Sequence, residues 1–404
     1  MHSRRIRWAA IVIAALALTG CGSTRNGTAL PGEIDVRKLD VGSYNTDPLD
    51  LRYHYFHALD NGTTLATMRL AGQVVVGPDV DPKLKYGTGT AGFSDTDGAT
   101  QVLAANAAPA LTGNGMMFGV AASAADSLGD AGKRVKEGMW TSVVVMQFPD
   151  DAAAAKAATE LDDADFAVAA DVNQRVSLPK YAAAHTHWRP GIASIGSYMA
   201  HGSYVIHVFA GVKDPNLDQL SALAQQVFDA QVPLLDSLKP LDREAILRLD
   251  YDPDGMLRQT LSTDGLGMPD LTSEGVYEPR GFLQRVKDQS YWQRLLTASG
   301  VDRFSLSGYN TSGITMLFRA RDPQAAKQLW STILDPAYPG AADAPAAVPD
   351  AKCGESATKD DLTIKRYRCA VTYRRYVATV ESDQLADVQQ RVAAQYALMA
   401  NSTW

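Results

Sequence analysis

A duplicated α+β protein is the fold that this 404-residue sequence predicts, and three observations carry the prediction. An order of strand, helix, hairpin and helix occurs twice, first from Trp140 and again from Ile314. The two occurrences share phrases at near-constant offsets: Asp-x-x-Ala-Ala at Asp150 and Asp322, Tyr-Val at Tyr204 and Tyr376, and Gln-Gln-x-x-x-Ala-Gln at 225–231 and 389–395. The composition, 46% hydrophobic and 21% charged, is that of a globular chain long enough for two cores. A β-α-β-β-α order suits an antiparallel sheet with helices on one face. The expected layout is a leader at 1–20, a lipidated cysteine and tether at 21–49, and two α+β domains at 50–239 and 240–404.

Along the chain, Arg4, Arg5 and Arg7 precede an apolar run from Trp8 to Leu18 that suits a signal peptide and is too short to span a bilayer. Leu18-Thr19-Gly20-Cys21 then reads as a lipobox, with Cys21 acylated and left as the first residue of the mature protein. Two or more acyl chains, palmitate among them, hold a protein stably on a membrane where one does not. Residues 22–31 are a small polar tether, and Glu33 to Asp50 an extended entry segment. Leu65, Met68, Leu70, Val74 and Val75 have helical spacing, stopped at Gly77-Pro78. Val80 to Gly98, rich in Gly, Asp, Pro and Thr, reads as loops. Val102 to Ala108 reads as a short helix ended by Pro109, and Ala121 to Ala125 as helix too.

The repeated unit follows. Thr141–Phe148 is a β-branched strand, and Asp150 caps an Ala-rich helix over about 152–162. Ser197–Ala200 and Ser203–Ala210 form a hairpin about His201-Gly202, followed by a helix over about 217–235. In the second copy the strand is Ile314–Ala320 and the helix runs from Pro323 to Leu334. The hairpin is Tyr367–Thr372 with Tyr376–Glu381, and the last helix Leu385–Met399. Pro233 to Asp242 is the expected boundary.

Charge and cysteines narrow the function classes. Without the three leader arginines the chain has 35 basic and 45 acidic residues, a formal charge of −10, which argues against nucleic acid and against a polybasic grip on lipid headgroups. Spending Cys21 on lipid leaves Cys353 and Cys369, an even pair expected to form a disulfide outside the cytoplasm. A metal site there has no nearby histidine, since all seven lie at or before His207.

Other constellations have two readings each. Asp250, Asp252 and Asp254 before Gly255 match the first half of a calcium loop, but the twelfth position is Leu261 and not Glu, so an acidic turn is the competing reading. His185 and His187 would point the same way on a strand and are candidate metal ligands, His54 and His57 would share a face on a helix, and His201 and His207 lie in the hairpin; structural or surface histidines are the competing reading. Asp162, Asp163 and Asp165 read as an acid/base set or as a solvated helix end. No serine lies in Gly-x-Ser-x-Gly, and no cofactor signature stands out. Tyr367, Tyr373, Arg374 and Arg375, with Lys365, Arg366 and Arg368, are candidates for a basic, aromatic docking face.

Several phrases together resemble a family of mycobacterial and nocardial lipoproteins of unknown function. They are Pro31-Gly-Glu-Ile-Asp-Val-Arg-Lys-Leu-Asp40 with Gly42 and Tyr44, Val80-Asp-Pro82, Phe148-Pro-Asp150, and Asp252-Pro-Asp-Gly255. The likeness covers nearly the whole mature chain and brings no catalytic residues. The repeated unit with its cysteine pair also resembles the extracellular sensor domains of mycobacterial Ser/Thr kinases, which typically carry two such pairs. The resulting expectation is a lipid-anchored protein on the outer face of the bacterial membrane that binds an envelope lipid, glycan or protein without catalysis. The alternative is an envelope hydrolase or metal-dependent enzyme using the histidines of the first half.

Overall fold

In the computed structural model, residues 34–48, 55–129, 138–263, 271, 273–308, 313–334, 337–358 and 364–402 are described. The leader, Cys21, the tether and His54 lie outside them. The chain from Val36 onward is one compact unit built from two halves.

The N-terminal half begins with helices α1 (Leu59–Ala71) and α2 (Gly77–Val80). Strand β1 (Tyr86–Phe93), helices α3 (Thr96–Ala99) and α4 (Ala108–Gly113), and strand β2 (Phe118–Ala125) follow. Next are β3 (Trp140–Gln147), α5 (Asp151–Ala167), β4 (Gln174–Val176) and β5 (His185–Trp188). The hairpin β6 (Ser194–His201) and β7 (Tyr204–Gly211) leads into α6 (Leu217–Asp236). Helix α7 (Arg243–Leu247) is the connection.

The C-terminal half has β8 (Gly275–Tyr277), α8 (Pro279–Leu283), α9 (Gln289–Ser299) and β9 (Arg303–Ser307). It continues with β10 (Thr315–Arg319), α10 (Pro323–Thr332), β11 (Gly340–Ala342) and β12 (Lys352–Glu355). The hairpin β13 (Tyr367–Tyr373) and β14 (Tyr376–Ser382) precedes α11 (Leu385–Asn401).

The strand orders make the duplication plain. The first sheet runs β1-β2-β3-β7-β6-β5-β4, the second β8-β9-β10-β14-β13-β12-β11, and adding seven to each strand number of the first gives the second. Every pairing between named strands is antiparallel. The shared sequence phrases occupy equivalent places. Asp150 and Asp322 cap α5 and α10, each carboxylate accepting the N–H three residues on at 2.8 Å. Tyr204 and Tyr376 open β7 and β14.

Each sheet is covered on both faces, where the sequence suggests one. Alternate side chains of β3 and β7 divide the N-terminal core. Val144, Met146 and Val205 pack with Ala154, Ala158 and Leu161 of α5, whereas Val143, Val145 and Ile206 pack with Leu220, Ala224 and Phe228 of α6. In the second half α10 and α11 both pack on β13 and β14. Burial on both faces explains why Ala121 to Ala125 is strand rather than helix: small side chains let helices approach from either side.

Two further expectations change for local reasons. The Gly-rich stretch read as loops contains β1, an edge strand with an irregularity between Gly87 and Gly89. Pro109 sits in the first turn of α4 and opens a helix instead of ending one, since its missing N–H would have no partner there. Cys353 and Cys369 face each other in register on β12 and β13 and are disulfide-bonded.

Candidate functional site

The halves meet along α1, which serves both cores. Its Ala66 and Leu70 belong to the N-terminal core, and its Leu65 and Met68 to the C-terminal one. The chain after α1 runs buried along this seam, through Val74, Val75 and Val76. Buried backbone groups need partners, and three buried glutamines supply them. Val75 N donates to Gln231 Oε1 (3.0 Å), and Gln231 Nε2 donates to Gln73 O (2.7 Å). Gln284 Nε2 donates to Ala71 O (2.7 Å) and Val74 O (3.2 Å), and Gly77 N donates to Gln289 Oε1 (3.0 Å). At the rim, Arg280 pairs with Asp79 at 3.0 Å, and Gln73 donates to Glu278 at 2.6 Å.

Cavities lie along this seam. One, of about 220 Å³, has Thr64 and Thr67 of α1, Phe93 of β1 and Tyr277 of β8 in its wall, with Arg285 and Gln284 from just beyond α8. Met68 and Tyr277 also line a second, of about 270 Å³, which is more highly charged, with Arg69, Asp250, Glu278 and Arg303. A third of about 360 Å³ opens past Glu278 between Gly72, Arg280 and Thr297. Neither the seam nor its cavities were visible in the sequence, because their walls come from segments on the order of 150 residues apart or more.

The histidines are spread out. His185 and His187 do project to the same side of β5, but helix α5 takes them separately: His185 Nε2 is 3.2 Å from Thr159 Oγ1, and His187 Nδ1 is 2.8 Å from Asp162 Oδ1. His57 Nδ1 contacts Leu247 O at 2.8 Å, and His201 Nε2 contacts Asp236 at 2.7 Å. Among the described residues no group of three His, Cys, Asp or Glu side chains is placed to hold a metal ion.

Under α5 they instead build a buried polar cluster. Asp162, fully buried and not the solvated helix end the sequence suggests, bridges His187 and Arg175. Asp163 takes the exposed side of Arg175. His187 Nε2 faces Asp165 at 3.8 Å, and Tyr198 donates to Asp165 at 3.3 Å. The His187 ring lies across Gly196, its register partner, where a Cβ would meet the ring at 3.2 Å. Burial, opposed by Asp165, lowers the His187 pKa. His207 stacks on Tyr198 at 4.1 Å, and among the described residues neither of its ring nitrogens has a hydrogen-bond partner. Burial, followed by the charge of His187, pushes its pKa down to about 3.

The acidic turn is engaged by the protein itself. Asp252 accepts from Leu257 N at 2.6 Å and from Arg258 Nε at 3.1 Å, and burial raises its pKa against those bonds. Arg303 and Arg319 bind Asp254 at 2.9 and 3.0 Å; the Arg303 hydrogen bond holds that carboxyl below its ordinary range. Asp250 caps the N–H of Asp252 at 3.0 Å. The three carboxylates therefore do not converge.

The basic, aromatic group is divided along β13. Lys365, Arg366 and Arg368, near Tyr367, pair with Asp383, Glu355 and Glu381. Tyr373, Arg374 and Arg375 stand at the other end of the strand, about 20 Å away at the usual rise per residue. Arg374 and Arg375 lie over Tyr373 and Tyr376, and the buried Tyr373 packs edge-on against Tyr396 of α11.

The N-terminal entry phrase has a structural role. Tyr44 donates to Asp387 (2.6 Å) and accepts from Arg391 Nε (2.9 Å). Gln390 donates to Asp40 at 3.1 Å, and Asn401 to Thr46 O at 2.8 Å. The segment after the tether is thus strapped onto α11, the last helix of the C-terminal half.

A duplicated α+β unit, fused along a buried seam, defines the class of protein. The chain belongs to the family of a domain of unknown function, DUF7373, whose N-terminal model matches residues 54–251 and whose C-terminal model matches 256–402. No curated protein matches the chain in sequence. Among solved structures it is similar to the crystal structure of the extracellular domain of PknH from Mycobacterium tuberculosis, at 11% identity over 41% of this chain and 94% of that one. The TM-score of 0.30 is too low to support inference from that likeness.

Proposed function

We propose that this is a lipid-anchored protein of the bacterial cell envelope that binds a ligand at the seam between its halves without chemical turnover. The observation that carries the reading is the position of the cavities: side chains of both halves line the same two spaces, joined at Met68 and Tyr277. Concave sites between structural units are where small ligands usually bind. The leader and Cys21 support the anchor.

The Asp162–His187 pair is the one feature that favours the enzymatic alternative, since a buried carboxylate orienting an imidazole is a general-base arrangement. Against it, the free edge of that imidazole faces Asp165 and the ring packs against Phe166.

The test is capture from envelope extract by the immobilised protein, analysed for lipids, glycans and proteins, beside Thr64→Trp, which fills the smaller cavity. A species retained by the wild type and lost from Thr64→Trp is expected. Turnover of an envelope substrate that disappears in His187→Ala would replace the binding reading with the enzymatic one.

A further inference from the structure

We infer that the 270 Å³ seam cavity takes an α-amino acid with a large apolar side chain, its carboxylate on Arg69 and its ammonium on Asp250; this rests on the seam-binding reading above and names the ligand of one of its two spaces.

The cavity offers one charge of each sign. Four charged side chains line it, Arg69 and Arg303 with Asp250 and Glu278. Two of them are already engaged: Arg303 binds Asp254 at 2.9 Å, while Glu278 faces Arg303 at 3.5 Å and accepts from Gln73 at 2.6 Å. Arg69 and Asp250 are held by backbone alone. Arg69 Nη1 donates to Lys239 O at 3.0 Å, and Asp250 Oδ1 accepts from Asp252 N at 3.0 Å. Among the described residues neither pairs with an oppositely charged side chain, and they do not pair with each other. Each is therefore fixed in place with its charge unanswered.

A ligand that answers both must carry both signs close together. A simple anion would leave Asp250 unpaired in the occupied cavity, and a simple cation would leave Arg69, so each is penalised by the group it fails to match. A guanidinium receives a carboxylate, and a carboxylate an ammonium, through charge-assisted hydrogen bonds. The rest of the wall is largely apolar. Leu65 and Met68 share the cavity face of α1 with Arg69, and Leu249, Val276 and Tyr277 join them. An α-amino acid bears both charges and its side chain on one carbon, which suits two charges and an apolar wall in one small space. The volume sets its size. Cavities of about 150 Å³ hold a benzene ring, so 270 Å³ suits roughly eleven non-hydrogen atoms, the size of leucine or phenylalanine and far short of an acylated lipid.

Calorimetric titration of the full-length protein tests the assignment with L-leucine and two analogues: 4-methylpentanoate, which lacks the ammonium, and 3-methylbutylamine, which lacks the carboxylate. Leucine should bind one-to-one and about tenfold more tightly than either, as a hydrogen bond between charged groups implies. Arg69→Gln should remove the preference over 3-methylbutylamine and keep that over 4-methylpentanoate, and Asp250→Asn should do the reverse. A merely structural role for either residue would weaken all three ligands together. Thermal unfolding shows whether the variants fold; if one does not, the three affinities of the wild type decide. Equal affinity of the wild type for all three, a preference untouched in the folded variant, or no leucine binding overturns the amino-acid class. Tighter binding of O-phosphoethanolamine than of leucine overturns it as well, and assigns the two charges to a lipid headgroup. Seam binding stands or falls separately, on the envelope capture and Thr64→Trp, which fills the other space.

Discussion

Replacing Gln231 by leucine removes the brace that holds the buried seam segment after α1, and the cost can be worked from its contacts. The leucine keeps most of the volume but leaves Val75 N–H and Gln73 C=O without their partners. Val75 is 3% exposed, so its N–H loses a bond that water cannot replace, while the bond to Gln73 is only part-buried. An orphaned buried group costs about 1–3 kcal/mol and the partly exposed carbonyl about 1, so the variant should lose about 2–4 kcal/mol. The second half repeats the device: Gln395 accepts from Leu261 N at 2.8 Å and donates to Gln259 O at 2.8 Å. Gln395→Leu should therefore cost a similar amount. Urea unfolding followed by circular dichroism measures both, with the exposed Gln226→Leu on α6 as a control expected within about 0.5 kcal/mol of wild type. If Gln231→Leu behaved like the control, the account of how the seam backbone is satisfied would be wrong.

Three other perturbations follow from the same structure. Stability should fall as the pH drops below about 6.5 toward 3, because His207 is held neutral with a pKa of about 3 while the unfolded chain takes up a proton. Its share is up to about 2 kcal/mol by pH 5, and His207→Phe, still stacked on Tyr198, should flatten the acid limb of a Tm-against-pH series; an unchanged limb refutes the assignment. Replacing both Cys353 and Cys369 by serine opens a loop with a sequence separation of 16 and should cost about 3 kcal/mol, read as a lower urea midpoint. Cys21→Ala should leave the leader uncleaved and the protein without its acyl chains, so that its detergent partitioning differs from that of the wild type, and identical partitioning of the two forms would remove the lipid anchor from the account.

The repeat was legible because helix caps and hairpins are local. Asp150 and Asp322 announce their helices, and the alternation from Tyr204 and Tyr376 announces the second hairpin strands, within a few residues of chain. The shared Gln-Gln-x-x-x-Ala-Gln phrase was visible too, but its meaning was not. The job of Gln231 and Gln395 lies in backbone groups more than 130 residues earlier in the chain. Tertiary context overrode local preference at Ala121–Ala125 and at Gly87–Gly92, where close packing needs small residues in strands. The family phrase at Asp40, Gly42 and Tyr44 gave no hint of its place, because its partners Asp387, Gln390 and Arg391 stand at the far end of the sequence. Asp162 looked like one of three solvated acids, and only the fold shows that it faces β5 while Asp163 faces out.

The claim that this protein binds a ligand at its seam is tested most directly by native mass spectrometry of the protein purified from membranes of its own cells. The wild type should carry a discrete small-molecule mass, and Thr64→Trp, prepared in parallel and equally folded, should lack it. The same adduct on both proteins, or none on either, would contradict a binding site between Thr64 and Arg285.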